Sequence, residues 1–100
     1  VYKRQPMASV SPATEAHAIL RAPDLDSAER VYLGLMPDLE HVNALARRAV
    51  GLSRVADAAR GYALSMTLVG LRLQELEMGE PTAREHRQAT LRSLRQAFSA

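Results

Sequence analysis

The chain has 100 residues, a formal net charge of +2, 47% hydrophobic residues, and neither cysteine nor tryptophan. This composition predicts one small globular domain and excludes disulfide bonds, thiol catalysis and cysteine-ligated zinc. No apolar run reaches the roughly 18 residues of a membrane-spanning helix, and no secretion signal is recognisable, so we expect a cytoplasmic protein that does not bind membranes.

One of the possible codon choices for residues 1–5 reproduces the end sequence of a transposase adaptor that is used to prepare DNA sequencing libraries. We therefore interpret them as an artefact that precedes the protein. Without Lys3 and Arg4, the 13 basic residues become 11 arginines, which balance the 11 acidic residues. The remaining chain then contains arginine but no lysine, which indicates a GC-rich and hence bacterial genome.

Residues 6–25 form an N-terminal segment in which a short helix is predicted over 11–21, with Pro12 in its first turn. A linker follows over 22–25. We expect residues 26–100 to form a single helical-bundle domain, because helix-favouring residues dominate and no run alternates with the period of a strand.

Apolar residues recur at steps of three and four over 28–49, and the repeat keeps its phase through Pro37. Because an interior proline kinks or breaks a helix, the pattern predicts either one helix over about 27–50, kinked at Pro37, or two helices that meet there. Asp26 and Glu29 have the spacing of an N-terminal capping box at the start of this segment.

The clearest helical pattern covers residues 53–78, where a heptad stripe predicts one long helix. A second apolar set, Leu64, Leu68 and Leu71, widens the apolar surface, so we expect this helix to be central and contacted on several sides. Gly61 and Gly70 each weaken such a helix by about 1 kcal/mol relative to alanine, a cost that the close approach of a neighbouring helix usually offsets. The stripe consists of Leu52, Val55, Ala59, Tyr62, Met66, Val69, Leu73 and Leu76.

The segment Gly79-Glu80-Pro81 breaks the chain, and a last helix is predicted to follow over about 82–98. Thr82 and Glu85 have the spacing of a capping box at its start. The residues of this helix that are predicted to point inward are Ala83, Leu91, Leu94, Ala97 and Phe98.

The fold class expected from these elements is all-α. It is an antiparallel bundle of three main helices, at about 27–50, 53–78 and 82–98, plus a short N-terminal helix, since short turns favour antiparallel neighbours. The last helix is too short to cover the whole central stripe. Either the first main helix or a second copy of the chain must therefore cover the remainder.

No arrangement typical of an enzyme or of a metal site is found among the polar residues. Of the histidines, only His41 has an acidic residue at a helical spacing, Asp38, and the pair is typical of a solvated helix end. The carboxylates near the second turn lie beside exposed turn residues, which favours a solvated face over acid–base catalysis. We therefore expect no enzyme activity, cofactor, metal or small-molecule substrate. The histidines are His17, His41 and His86, and the carboxylates are Glu75, Glu77, Glu80 and Glu85.

The charge is uneven along the chain, with a net −4 over residues 6–40 and +4 over residues 41–100. One interpretation is a basic face on the last helix that binds phosphate or an acidic partner. The interpretation that we favour is that the two halves neutralise each other within the fold. The arginines of the basic face would be Arg84, Arg87, Arg92 and Arg95.

The residues from His41 onward resemble a histidine phosphotransfer domain, a helical bundle that relays phosphoryl groups between receiver domains. Gly51 lies ten residues after His41, as in that family, and aliphatic residues follow it. Ala44 and Leu45 stand where the family has a lysine, which holds the phosphoryl charge, and a glycine, which makes room for the receiver. The resemblance implies that His41 is the phosphoacceptor. The aliphatic positions are Leu52, Val55, Ala56 and Ala59.

Residues 57–77 are similar in spacing to the helix-turn-helix of winged-helix DNA-binding regulators. Ala63 stands where that family has the glycine of the turn, and no pair of strands follows to form a wing. This resemblance implies that the chain binds nucleic acid, through the arginines of the last helix or through the surface from Ser65 to Arg72. The heptad stripe runs unbroken across Ala63, however, which favours one continuous helix.

Heptad repeats without a motif are shared by coiled-coil-like adaptors, secretion chaperones and small toxin–antitoxin partners. Such repeats predict contacts between helices and leave the identity of the partner open. We therefore expect a small helical protein without enzyme activity that binds another protein or a second copy of itself. The contact surface is expected on Tyr62, Met66, Val69, Leu73 and Leu76, residues that a folded core would use equally well.

Overall fold

The computed structural model describes residues 12–55 and 58–98. The segment interpreted as an adaptor, residues 1–5, lies outside these ranges. All the described regular structure is α-helical and includes no strand, as the sequence predicts. None of the helices in this part of the chain is both long and apolar enough to cross a membrane. The five helices are α1 (Pro12–Arg21), α2 (Leu25–Leu35), α3 (Leu39–Leu52), α4 (Ala59–Met78) and α5 (Thr82–Ala97).

Pro37 separates two helices, α2 and α3, rather than kinking one. The single kinked helix over about 27–50 is therefore wrong, and the alternative of two helices is correct. Pro37 lacks the amide hydrogen that a continuous helix needs. Asp38 then starts the new helix, because its carboxylate accepts a hydrogen bond of 3.0 Å from the backbone N–H of His41.

Two helix starts differ from the predicted capping boxes. α2 is capped by Asp24 rather than Asp26, since the Asp24 carboxylate accepts a hydrogen bond of 2.7 Å from the backbone N–H of Ser27. α5 has Pro81 at its N-cap position and no side-chain cap, so Thr82 is not the capping residue. In both cases the capping-box spacing identifies the correct turn but places the cap too late in the chain.

α4 begins at Ala59 rather than at Ser53, and it ends at Met78, as predicted. Ser53 instead closes the end of α3, because its backbone N–H and its hydroxyl both donate to the carbonyl oxygen of Val50, at 3.1 and 2.7 Å. At the other end of α4, Gly79 has a φ of 79°. This is the left-handed conformation that glycine adopts without strain, and it ends the helix.

The core lies around α4, which packs against α1, α3 and α5. The second apolar set of α4, Leu64, Leu68 and Leu71, is buried against the other helices, and Tyr32 of α2 is fully buried among them. α4 is therefore central, as its sequence predicts.

The heptad stripe, in contrast, is not the core face of α4. Val69 is buried, and Tyr62 and Met66 are half-buried. Leu73 and Leu76 are 41% and 43% exposed. α4 thus carries two apolar faces, and packing within the chain uses mainly the other one.

α5 turns fewer apolar residues inward than predicted. Ala83, Leu91 and Leu94 are buried, but Ala97 is exposed and Phe98 is half-buried. A buried arginine fills the interval between the first two of these residues, so this face of α5 is not purely apolar.

Candidate functional site

A carboxylate on α4, Glu75, lies at the centre of a buried group of polar side chains. It is only 2% exposed. Its Oε1 atom accepts hydrogen bonds from the hydroxyl of Tyr32 at 3.0 Å and from the guanidinium groups of Arg72 at 2.9 Å and Arg87 at 3.2 Å. Burial of an unpaired charge costs several kcal/mol, so these partners are required to keep the carboxylate inside the protein. These four residues and Glu29 are called the charged cluster below.

Arg87 joins three elements of the fold through one side chain. Its Nε donates to Glu29 of α2 at 2.8 Å, and its Nη atoms donate to Glu75 of α4 and, at 3.3 Å, to Glu80 in the turn before α5. Burial opposes the charged form of Arg87, but the hydrogen bonds and charges of the three glutamates outweigh it and raise its pKa. Arg87 therefore holds a fixed positive charge between α2, α4 and α5.

The same contacts act on the acidic and phenolic members of the cluster. Burial alone would raise the pKa of Glu29, but hydrogen bonds from Arg87 and Gln88 outweigh it and lower that pKa below its ordinary value of 4.5. Burial, reinforced by the neighbouring Glu75 carboxylate, raises the pKa of Tyr32 far above its ordinary value of 10.0. The phenol therefore remains protonated and acts as a hydrogen-bond donor.

Arg72 connects the charged cluster to the break between α2 and α3. Its Nε donates to the carbonyl oxygen of Met36 at 2.7 Å, and its Nη2 donates to that of Pro37 at 3.3 Å. The end of a helix leaves carbonyl groups without partners in the helix. A buried arginine supplies the donors here, so the position of Pro37 depends on the same side chain that bonds Glu75.

The charged cluster corrects the prediction of a solvated carboxylate face. Glu75 is buried, whereas the other three carboxylates of that group are exposed. The sequence contains one local indication that Glu75 is buried. Arg72 ends the long uncharged run of α4, and Glu75 follows it at a helical spacing of three. An arginine in an apolar run must have a partner if that face is buried.

The four arginines of the alternative interpretation, a basic face on the last helix, do not share one surface. Arg87 is buried in the charged cluster. Arg95 is half-buried and donates to two backbone carbonyls at the end of α1, at 2.7 and 3.0 Å. Arg84 and Arg92 remain exposed, which leaves two of the four side chains for an external anion.

Ion pairs between the two halves of the chain neutralise part of the uneven charge. Glu15 accepts a hydrogen bond of 2.7 Å from Arg48, and Glu29 accepts one of 2.8 Å from Arg87. Both carboxylates belong to the acidic part of the sequence and both guanidinium groups to the basic part. This arrangement is the neutralisation within the fold that we favoured from the sequence.

The histidines are placed separately in the structure. His41 is exposed, and its Nδ1 lies 2.7 Å from the Asp38 carboxylate. His86 lies 3.3 Å from the side-chain oxygen of Gln74, and His17 is half-buried on α1. Within the described ranges, no group of three or more histidine and acidic side chains is positioned to hold a metal ion.

The structure shows the surroundings of three residues on which the resemblances to phosphotransfer domains and to helix-turn-helix regulators depend. His41 lies in the first turn of α3, and Leu45, where the phosphotransfer family has its glycine, is fully buried. α4 continues through Ala63. The turn that a helix-turn-helix requires at that residue is therefore not formed, and the described residues contain no strands that could form a wing.

A groove of about 410 Å³ lies between α2 and α5, next to the charged cluster. It contains as many acidic as basic side chains, so it offers no net charge to a ligand. Its lining residues are Asp26, Glu29, Arg30, Leu33, Glu80, Arg84 and Arg87.

A second groove, of about 420 Å³, has a different character and lies where the start of α3 meets the end of α4. Its apolar residues are Pro37, Leu39, Leu73 and Leu76, and Leu39 is 52% exposed. Its charged lining residues are both carboxylates, Asp38 and Glu77. We call it the acidic groove.

A third groove, of about 450 Å³, lies at the opposite end of the same helix pair. Of its lining residues that the structure describes, Arg54 alone is charged, and we call it the basic groove. The acidic groove lies between the start of α3 and the end of α4, and the basic groove lies between the end of α3 and the start of α4. The two helices therefore run antiparallel. The lining residues of the basic groove are Leu52, Ser53, Arg54, Val55, Ala59 and Tyr62.

The five residues that were predicted to make contacts join the two grooves along α4. They recur at steps of four and three, so they lie on one face of the helix. At 1.5 Å per residue, the face from Tyr62 to Leu76 is about 21 Å long. We call these residues, Tyr62, Met66, Val69, Leu73 and Leu76, the α4 stripe.

Comparison of the chain with protein-family models, with curated proteins and with solved structures gives no significant match. The function must therefore be argued from the geometry of these residues.

Replacement of Glu75 by glutamine is expected to lower the free energy of unfolding by about 3 kcal/mol, because it leaves two buried guanidinium groups without their shared carboxylate. Tyr32→Phe removes one hydrogen bond and is expected to cost about 1 kcal/mol. The exposed neighbour provides a control, and Glu77→Gln is expected to change stability by less than about 0.5 kcal/mol. Urea denaturation followed by circular dichroism measures all three. Equal stabilities of Glu75→Gln and Glu77→Gln would contradict the role of the cluster.

Stability is expected to fall in acid partly because of Glu29. Its pKa is below the unfolded value of 4.5, so near this pH the unfolded chain binds more protons than the folded chain. The stabilisation is present above pH 4.5 and is lost as the pH falls through the folded-state pKa. Urea denaturation at a series of pH values from about 6 to about 3 measures the slope. A smaller slope is expected in Glu29→Gln, and an unchanged slope argues against this assignment.

Proposed function

We propose that the chain is a non-enzymatic, cytoplasmic bacterial protein that acts by binding another protein through the α4 stripe and the acidic groove. The observation that carries the proposal is the exposure of three leucines in one place. Leu39, Leu73 and Leu76 line the same groove, and each is at least two-fifths exposed. Clustered exposed apolar side chains beside polar ones are typical of protein-binding surfaces.

The energetic argument follows from the area that remains open to water. Full burial of a leucine contributes about 1.5–3 kcal/mol, so covering the exposed parts of these side chains contributes on the order of 1 kcal/mol each. Packing within the chain has already ordered their backbone, because they lie on helices. A partner therefore gains apolar contact without ordering a loop.

The walls of the acidic groove are held in place before a partner binds. Arg72 fixes the carbonyl groups of Met36 and Pro37, and Asp38 caps the helix that carries Leu39. The groove is therefore formed by two helix ends that are both tied by hydrogen bonds. Such preorganisation favours binding because less conformational freedom is lost.

The side chains that line the acidic groove determine which kind of partner surface is complementary to it. Asp38 and Glu77 flank its apolar floor, and none of the described residues that line it is basic. The complementary surface is an amphipathic helix that places apolar side chains next to arginine or lysine.

Photocrosslinking tests this proposal directly. The full chain is prepared with benzoylphenylalanine at position 73, and the control carries it at position 89, which is exposed on α5. After irradiation of each chain, alone and in a bacterial cytosolic extract, we expect discrete adducts from position 73 and none from position 89. Unlabelled wild-type chain is expected to compete for the adducts.

The competing variant is Leu73→Glu combined with Leu76→Glu. It is expected to stay folded, with a small loss of stability to urea, because both side chains are at the surface and only partly buried. It is expected not to compete. Equal adduct yields from positions 73 and 89, in the extract and in the isolated protein, would show that the proposed surface does not bind protein.

The two alternative functions predict different outcomes for the same protein. A phosphotransfer module accepts labelled phosphate from a phosphorylated receiver domain and loses the label in His41→Gln. A DNA-binding protein binds duplex DNA with an affinity that falls steeply with salt and depends on Arg84 and Arg92. We expect neither result. Label that is lost in His41→Gln, or salt-sensitive binding that is lost in the arginine variants, would replace the present proposal.

A further inference from the structure

We propose that the groove between α2 and α5 binds a small molecule through a phosphate group, which takes the place of the Glu80 carboxylate on Arg87. This groove shares no lining residue with the acidic groove or with the α4 stripe, so the inference does not depend on the proposed function. It is argued from the hydrogen bonds of Arg87, from the exposure of Glu80 and from two further arginines in the same groove.

Arg87 presents a buried guanidinium group to this groove. It is one of the lining residues although it is almost wholly buried. Its Nε is held by Glu29 at 2.8 Å, and its Nη1 is held by Glu75 at 3.2 Å. In the described part of the chain, Nη2 has Glu80 as its only partner, at 3.3 Å. One end of a buried charge therefore depends on a single carboxylate.

Glu80 is the least firmly held of the three carboxylates on Arg87. Its side chain is 60% exposed, whereas those of Glu29 and Glu75 are largely buried. Both hydrogen bonds that it accepts from Arg87 are 3.3 Å long, which exceeds the usual range of about 2.7–2.9 Å for a charged pair. Because water screens an exposed ion pair, the pair contributes little stability. The Glu80 carboxylate can therefore leave Arg87 at a small cost, while the two buried carboxylates remain.

Two further arginines line the same groove, Arg30 from α2 and Arg84 from α5, and both are exposed. Arg84 precedes Arg87 by three residues, so the two side chains lie on the same face of α5. With Glu80 in place, the three arginines of the groove are balanced by three carboxylates. When Glu80 leaves, three positive charges line the groove against two negative ones, those of Asp26 and Glu29. The groove then offers a net positive charge to a ligand.

A phosphate group suits this site better than a second carboxylate does. Glu80 belongs to the chain, so it competes at a high effective concentration with any free carboxylate, which has the same charge and the same two oxygens. A phosphate monoester carries a charge of about −1.5 to −2 at neutral pH and three acceptor oxygens. It replaces the bonds of Glu80 to Arg87 and has an oxygen left for Arg84 or Arg30. The larger charge and the additional bond favour phosphate over Glu80.

Titration of the full chain with inorganic phosphate tests the site, with NMR of the backbone amides and of the arginine Nε–H groups as the measurement. The ionic strength is held constant with sodium chloride. We expect saturable shifts at Glu80, at Arg84 and at the Nε–H of Arg87, and none at Leu73 in the acidic groove. Sodium acetate is the control anion and is expected to cause no saturable shift over the same concentrations.

Glycerol phosphate is titrated in the same way to distinguish the two sources of the phosphate group. A lower dissociation constant than that of inorganic phosphate identifies a phosphate monoester as the ligand, because the groove then also contacts the rest of the molecule. Equal dissociation constants identify the phosphate group alone.

A pair of glutamate variants tests whether Glu80 occupies the site. Glu80→Gln is expected to lower the dissociation constant for phosphate about tenfold, because it removes the competing charge and keeps the shape of the side chain. Glu85→Gln removes the same charge from the first turn of α5, at an exposed residue that does not line the groove. It is expected to leave the dissociation constant nearly unchanged.

A pair of arginine variants tests the donors. Arg84→Gln is expected to raise the dissociation constant about tenfold, because the phosphate loses a charge-assisted hydrogen bond. Arg92→Gln removes the same charge elsewhere on α5, outside the groove, and is expected to have little effect. All of the substituted side chains are exposed, so the four variants are expected to fold as the wild type does.

Three outcomes overturn the inference. Phosphate that causes no saturable shift in these groups excludes the site. A Glu80→Gln chain that binds phosphate no more tightly than Glu85→Gln shows that Glu80 does not stand in the place of the ligand. Equal losses in Arg84→Gln and Arg92→Gln show that the charge of α5 attracts phosphate in general, as in a protein that binds nucleic acid. None of these results changes the crosslinking expected from position 73, so the site and the proposed function can fail separately.

Discussion

The structure depends on the pairing of two arginines with one buried carboxylate. Arg72 and Arg87 reach Glu75 from different directions, and each also bonds another element of the fold. Because a charge in the interior is strongly unfavourable without its partners, α2, α4 and α5 must be correctly placed at the same time. A packing of the helices that separates these charges would therefore be strongly disfavoured.

The same cluster connects the interior to the proposed binding surface. Arg72 bonds Glu75 inside the protein and the carbonyl groups of Met36 and Pro37 at the break between two helices. Pro37 is also a wall of the acidic groove. A side chain in the core thus determines the shape of a groove at the surface, and no flexible loop intervenes between them.

Much of the fold follows from the sequence, since periodicity, proline and glycine locate the helices and the breaks between them. The periodicity of α4 does not say which of its two apolar faces is the core. Leu68 and Leu73 are both leucines, and each belongs to an apolar set that recurs with helical spacing along α4. Only the packing of the other helices buries Leu68 and leaves Leu73 exposed. Glu75 was misplaced for a related reason, because its environment is created by Arg87 and Tyr32, which are distant in the sequence.

α4 carries part of the charged cluster and the proposed binding surface on one helix. Arg72 and Glu75 of the cluster lie among the last residues of the α4 stripe, on a face that differs in direction. An insertion or deletion of one residue in this segment rotates everything beyond it by about 100°. It would direct Glu75 away from Arg87 and Tyr32 on the neighbouring helices and at the same time divide the stripe. The number of residues in α4 between Tyr62 and Glu75 is therefore more strictly constrained by the fold than the identity of most side chains in this segment.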